Sequence, residues 1–284
     1  MKFTTRRLAA LAAVLALGLS ACAGDGQTGG QGGNGGGEGG GVTTEAQYNP
    51  QERDAIEDGG TFTTHLIEIS PQFNTFHADG TRYTLDVWRW YNPILAYFSP
   101  EGEWSFNPDY LENVEEETVD GNTKLTFTIR EEATFNDGTP IDWKAFEATW
   151  KANSGQDENY VPSSTDGYSL IKSVTAGDSD KVAVVEFEGQ WVWWQGLFNV
   201  VLHPNALEAD VYNQGYVNEP HPEWGAGPYT IKEFDQNAGT IVFERNDKWW
   251  GEPGKLDERI FRAMEDTAAV NAFKNGELDA IGAG

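Results

Sequence analysis

The sequence predicts an α/β body carrying a mixed β-sheet, and three observations lead there. Segments of alternating polarity recur along the chain with helical patterns between them, but without regular βαβ alternation. Aromatic residues make up 13% of the 284 residues, including 11 Trp, 10 Tyr and 15 Phe, and so much aromatic surface must be buried or bound, which excludes wholesale disorder. The length suits one large domain or two ordinary ones, and no internal repeat is visible.

Residues 1–21 read as a processing segment. Lys2, Arg6 and Arg7 precede an apolar run from Leu8 to Leu19, too short to cross roughly 30 Å of hydrocarbon as a helix. The run ends in Leu19-Ser20-Ala21-Cys22, which resembles the bacterial lipobox. In lipoproteins with this motif the cysteine thiol is acylated and the signal is cleaved just before it, and Cys22 is the only cysteine here. An ordinary secretory signal followed by a stray cysteine is the alternative. Residues 23–41 hold 12 Gly among 19 positions, so 22–58 is expected to be a flexible tether behind the lipid anchor. Such a protein would be exported and held on the outer face of the cell membrane by acylated Cys22.

Beyond Gly59 the texture changes. Thr61 to Ile69 predicts a strand ended by Pro71, and Lys124 to Arg130 another, with Leu125, Phe127 and Ile129 on one face behind the Asp120-Gly121 turn. Trp88 to Tyr91 falls on a helix. Asp137-Gly138 turns the chain, and Asp142 caps a helix from Trp143 to about Ala152 that buries Phe146 and Trp150. Further strands are expected at Lys181–Glu188, at Thr240–Arg245 and at Arg259–Met264. A last helix spans Thr267 to Asn275, closed by Gly276.

Three blocks resemble the extracellular solute-binding proteins of family 5, the oligopeptide- and dipeptide-binding components of ABC importers. They are residues 126–140 (TFTIREEATFNDGTP), then 225–229 (GAGPY) with 244–251 (ERNDKWWG), then 273–279 (FKNGELD), in the family's order. The resemblance implies a periplasmic-binding-protein-like lobe of type II with a mixed sheet and an extra α/β subdomain. It divides the body 59–284 into a main lobe, 59–80 with 215–284, and an extra subdomain, 81–214. Family members are about twice this length, so the expectation is a front half without its second lobe, exposing apolar surface and prone to self-association. The implied function is capture of a small solute, an oligopeptide or dipeptide first, and delivery to an ABC permease without chemistry. Oligosaccharides and nickel or heme complexes are the other cargoes the family suggests.

The family blocks themselves read as turn chemistry. Candidate ligand contacts lie elsewhere. The loop from Ser70 to His77 corresponds to a cleft-lining segment of the family, with Ser70, Asn74 and Phe76 as candidates, although ordinary turn formation explains Ser70 and Asn74 equally well. Trp191, Trp193 and Trp194 cannot all point one way in an extended segment, so at least one indole should face away from the core, while packing beneath the subdomain accounts for the others.

Forty-five acidic residues against 19 basic ones give a net charge of −26, which removing residues 1–21 would carry to −29, and this argues against nucleic acid as a partner. None of the motifs GxSxG, HExxH or GxxxxGK[ST] occurs, GxGxxG matches only inside the glycine-rich run 23–41 where no strand precedes it, and the four His are scattered, so no catalytic residue, metal site or cofactor is assigned. A rival reading is a membrane-anchored glycan hydrolase using paired carboxylates, for which Glu101 and Glu103 are one of many acid pairs.

Overall fold

The computed structural model describes Asn49 and residues 51–281. The signal segment, Cys22 and most of the tether lie outside the described residues. The described end of the tether is attached to the body, because its charges find partners there. Arg53 Nε lies 2.8 Å from Glu252, and Arg245 Nη2 donates to Asp58 Oδ1 at 2.9 Å.

Two four-stranded sheets organise the body. In the first, β1 (Thr61–Leu66) runs parallel to β10 (Glu258–Ala263), and β9 (Thr240–Arg245) and β8 (Tyr229–Asp235) continue antiparallel, in the order β1-β10-β9-β8. This is the mixed sheet the sequence predicts. β1 stops at Leu66 rather than Ile69, since Met264 N donating to Leu66 O is the last rung β10 can supply. α1 (Arg82–Tyr91) begins in a capping box between Thr81 and Thr84 and covers this sheet. Its Val87, Trp88 and Tyr91 share a buried cluster with Tyr229, Ile241, Phe243 and Phe261. The helix thus packs with the main sheet, although its position after residue 80 assigned it to the subdomain.

A short hairpin, β2 (Ala96–Phe98) with β3 (Trp104–Phe106), leads into the second sheet. That sheet is wholly antiparallel, in the order β4 (Leu111–Val119), β5 (Asn122–Ile129), β7 (Val182–Phe187), β6 (Ile171–Ala176). Asp120 and Gly121, both at positive φ (51° and 84°), make the β4–β5 turn. β4 hides in the sequence because its middle is the acidic run Glu115–Glu117. Those carboxylates sit on an exposed edge strand, where they deter pairing with another chain.

α2 (Trp143–Asn153) packs against β6 and β7 and buries Phe146 and Trp150 as expected, with Asp142 Oδ1 accepting from Lys144 N at 2.8 Å. α3 (Asp266–Lys274) ends at Gly276, whose φ of 74° suits glycine. Among the described residues no helix is long and apolar enough to cross a membrane.

Candidate functional site

The loop after β1 holds itself together with the side chains expected to face a solute. Asn74 is 0% exposed. Its Nδ2 donates to Tyr212 O at 3.0 Å, and its Oδ1 accepts from Phe76 N at the same distance. Buried Ser70 accepts from Gln72 N at 3.3 Å, and Gln72 Oε1 accepts from Asn74 N at 2.9 Å. Polar side chains that bond backbone two residues on make the turn, and Ser70 and Asn74 are both buried in it. Phe76 is half-buried and packs against both hydrophobic cores, so it marks the seam between the two sheets.

The three indoles behave differently from one another. Trp193 is 73% exposed, the one that faces away, whereas Trp194 is 7% exposed and packs edge-on to Trp104 with centroids 5.1 Å apart. Trp191 is half-buried. Its backbone N donates to Thr123 Oγ1 at 2.9 Å, and its buried Nε1 has no partner.

A segment the sequence left unassigned, 155–167, links these two places. At one end Ser163 N donates to Phe76 O at 2.8 Å and Ala78 N to Val161 O at 2.9 Å. At the other, Gly167 (φ 75°) lies so close to the indole segment that a Cβ there would stand 2.9 Å from Leu197 Cδ1 and 3.2 Å from Trp191 Nε1. Segment 155–167 thus bonds the Phe76 loop at one end and meets Trp191 at the other, and the apolar side chains of Val161 and Trp193 are exposed. Only its paired glycines, Gly155 and Gly167, gave a hint of the segment in the sequence.

The flank of these loops is acidic. Asp157, Glu158 and Asp166 lie on the linking segment, and no Lys or Arg occurs between Lys151 and Lys172. Burial holds His77 below its ordinary pKa, and nearby Asp79 offsets this in part. The surface suits a neutral or cationic solute with apolar groups, gripped by flat rings and by loop backbone. Among the described residues no group of three His, Cys, Asp or Glu could hold a metal ion. Glu101 and Glu103 sit exposed at the tip of the β2–β3 hairpin.

The family model for bacterial extracellular solute-binding proteins, family 5 Middle, matches residues 105–284. The oligopeptide-binding protein OppA of Mycobacterium tuberculosis is 32% identical over 248 residues, which is 86% of this chain and 42% of that protein. Among solved structures, a periplasmic EDTA-binding protein, EppA, superposes with a TM-score of 0.70 at 26% identity, covering 79% of this chain and 43% of EppA. The oligopeptide-binding protein AppA of Bacillus subtilis, solved with a nonapeptide, gives 0.67 at 19% identity over 79% of this chain and 44% of AppA, a likeness of fold. The chain spans under half the length of each of these relatives. Its mixed and antiparallel sheets are those of a periplasmic-binding-protein-like lobe, and the chain belongs to the bacterial extracellular solute-binding proteins of family 5.

Proposed function

We propose that this chain is the solute-gripping part of a lipid-anchored receptor that captures short peptides outside the cell and passes them to an ABC permease. The observation that carries the reading is the exposed indole of Trp193, next to the Trp191 that meets the same segment 155–167 as the Phe76 loop. A relative named for oligopeptide binding, 32% identical, supports peptide as the cargo. The acidic flank favours peptides of neutral or positive charge. Phe76, Trp191 and Trp193 supply the contacts, while Ser70, Asn74 and Trp194 shape the surface from behind. The cycle is binding and closure against a second lobe, with no covalent step. The tether from Cys22 keeps the body beside the membrane, and two acyl chains would hold it stably. The extra subdomain is the antiparallel sheet with α2, while α1 moves with the main sheet.

The test is binding and turnover by the anchored protein expressed from its own gene. Saturable binding of an extended pentapeptide without turnover is expected, with release from membranes on Cys22→Ser. Hydrolysis of a β-glucan oligosaccharide would overturn the reading in favour of a surface hydrolase, and saturable binding of the sugar without the peptide would overturn peptide as the cargo.

A further inference from the structure

Two buried histidines lie where the two cores meet, and both stand in the same local arrangement. His77 is 4% exposed, and its Nδ1 accepts from Asp79 N at 3.1 Å. His203 is 2% exposed, and its Nδ1 accepts from Asn205 N at 3.1 Å, capping the short turn Pro204–Leu207. In each case the ring takes the backbone N–H two residues on. A ring nitrogen accepts only while it carries no proton, so both bonds require the neutral ring with its proton on Nε2. Protonating Nδ1 would set N–H against N–H inside a buried turn and leave both donors without an acceptor.

Each ring sits in a fastening between the sheets. His77 ends the loop that carries Phe73 into the core of the mixed sheet. Beside it, Ala78 N donates to Val161 O at 2.9 Å and Ser163 N to Phe76 O at 2.8 Å. These bonds tie the loop to segment 155–167, which reaches Leu197 of the other core at Gly167. His203 fills the second fastening. It meets Phe135 of the antiparallel core edge-on at 4.5 Å, and it stacks at 5.3 Å on Trp224, which packs against the core of the mixed sheet. Around it Asn136 N donates to Gly225 O at 2.8 Å and Asp137 N to Glu223 O at 2.9 Å.

At His77 the facing charged and titratable groups are Asp79, with Oδ2 3.7 Å from Nδ1, and Tyr212, whose ring centre is 6.1 Å away. At His203 they are Asp137, with Oδ2 3.3 Å from Nε2, and then Glu223 and His221. Burial holds both rings below their ordinary value of 6.5. Asp79 offsets this in part at His77, as Asp137 and Glu223 do at His203, where His221 adds to it. An opened joint therefore takes up protons that the closed one refuses, and opening grows as pH falls below 6.5.

We propose that the joint between the two sheets is a proton-operated latch, which His77 and His203 close as neutral hydrogen-bond acceptors and acid opens at both fastenings. Because the joint ties the Phe76 loop to the segment that meets Trp191, opening it separates the candidate contacts. That consequence for a bound solute rests on the function proposed above, while the latch itself does not.

The test is amide exchange by NMR on the full chain at pH 7.5 and 5.0, with rates corrected for the intrinsic effect of pH. The amides of Ala78, Ser163, Asn136 and Asp137 should be less protected than those inside β5 and β9 at both pH values, the mark of a local opening. Their protection should fall about tenfold on acidification. Asparagine offers an Oδ1 acceptor near the place of Nδ1 and does not titrate. His77→Asn should therefore remove the fall at Ala78 and Ser163, and His203→Asn the fall at Asn136 and Asp137. The ring nitrogens give a reading that needs no variant, since at pH 7.5 both Nδ1 should show the shift of an unprotonated acceptor. An Nδ1–H tautomer in either ring, joint amides as protected as the strand amides, or no fall in acid overturns the proposal. So does a fall that survives in the doubly substituted chain. The readout is exchange and not binding, so failure of the latch is distinct from failure of the cargo reading.

Discussion

The core behind the antiparallel sheet is filled by alternating strand residues, whereas the core behind the mixed sheet is knit together by buried polar groups. In the first, Leu125, Phe127 and Ile129 of β5 and Val185 and Phe187 of β7 meet Phe146 of α2 and Phe198, whose rings lie 5.3 Å apart. In the second, Tyr91 OH donates to Pro220 O at 2.8 Å and Tyr212 OH to Asn153 Oδ1 at 2.9 Å. Arg259 is also buried there, 4% exposed, with its guanidinium 3.9 Å from the Phe261 ring centre. Burial lowers its pKa to about 10, and Asp279 works against that shift. One core resists change through volume, the other also through its buried hydrogen bonds, and the candidate surface takes its Ser70–His77 loop from the second and its indole segment from the first.

The largest expected effect tests the volume side. Phe146→Ala empties the junction of Phe127 and Phe198 and should lower unfolding free energy by about 3–5 kcal/mol. A urea midpoint that hardly moves would mean the antiparallel core is not the closely packed one. The next tests a buried hydrogen bond where α2 meets Leu202 of the second core. Thr149 Oγ1 donates to Ala145 O at 2.7 Å and accepts from Leu202 N at 2.9 Å. Thr149→Val keeps the shape but strands the Leu202 N–H, and should destabilise by about 1–3 kcal/mol, while Thr149→Ser should retain most of that. Equal losses for Val and Ser would assign the effect to packing instead.

The same contrast explains what could be read from the sequence. β5, α2 and the turns at Asp120-Gly121 and Asp137-Gly138 were legible because their signals are local: alternation, a capping Asp142, and glycines at positive φ. β4 was not, since its acids mask a strand that only its edge position explains. β6 was missed because only Ile171 and Val174 among its residues are buried. The candidate surface was half legible. Trp193 stood out by type, but the pairing of His77 with Pro162 that joins the loops reaches across α1, the β2–β3 hairpin, β4, β5 and α2, and no local pattern announces it. Ser70 and Asn74 stayed open in the sequence because a polar residue in a tight loop looks the same whether it faces a solute or its own backbone.

A smaller effect comes through pH. His203 is buried beside Asp137, with Nε2 3.3 Å from Oδ2, and its ring stacks on Trp224 at 5.3 Å. Burial lowers its pKa, and Asp137 recovers part of the shift. A histidine with a folded pKa below its unfolded one contributes fully above the unfolded value of 6.5, and that contribution is lost as pH falls below it. Stability should therefore decline from pH 7 towards 5, by at most about 1.4 kcal/mol per pH unit for each such group. His77, also lowered by burial, adds in the same sense. His203→Gln should flatten the slope in denaturant melts. Asp137, held low by Thr139 hydrogen bonds and His203 against its own burial, acts only in more acid solution.

The smallest effect on stability should be the largest on function. Trp193 is 73% exposed and packs in neither core, so Trp193→Ala should shift unfolding by no more than about 0.5 kcal/mol. Its neighbour Trp194, 7% exposed against Trp104, should cost about 3–5 kcal/mol on the same change. Two tryptophans one position apart would then separate the roles, one holding the subdomain and the other free for solute. If both truncations destabilise alike, Trp193 is part of the packing and the surface loses its platform. If Trp193→Ala leaves stability intact and lowers peptide affinity in the anchored protein, the indole that the fold does not use is the one the receptor does.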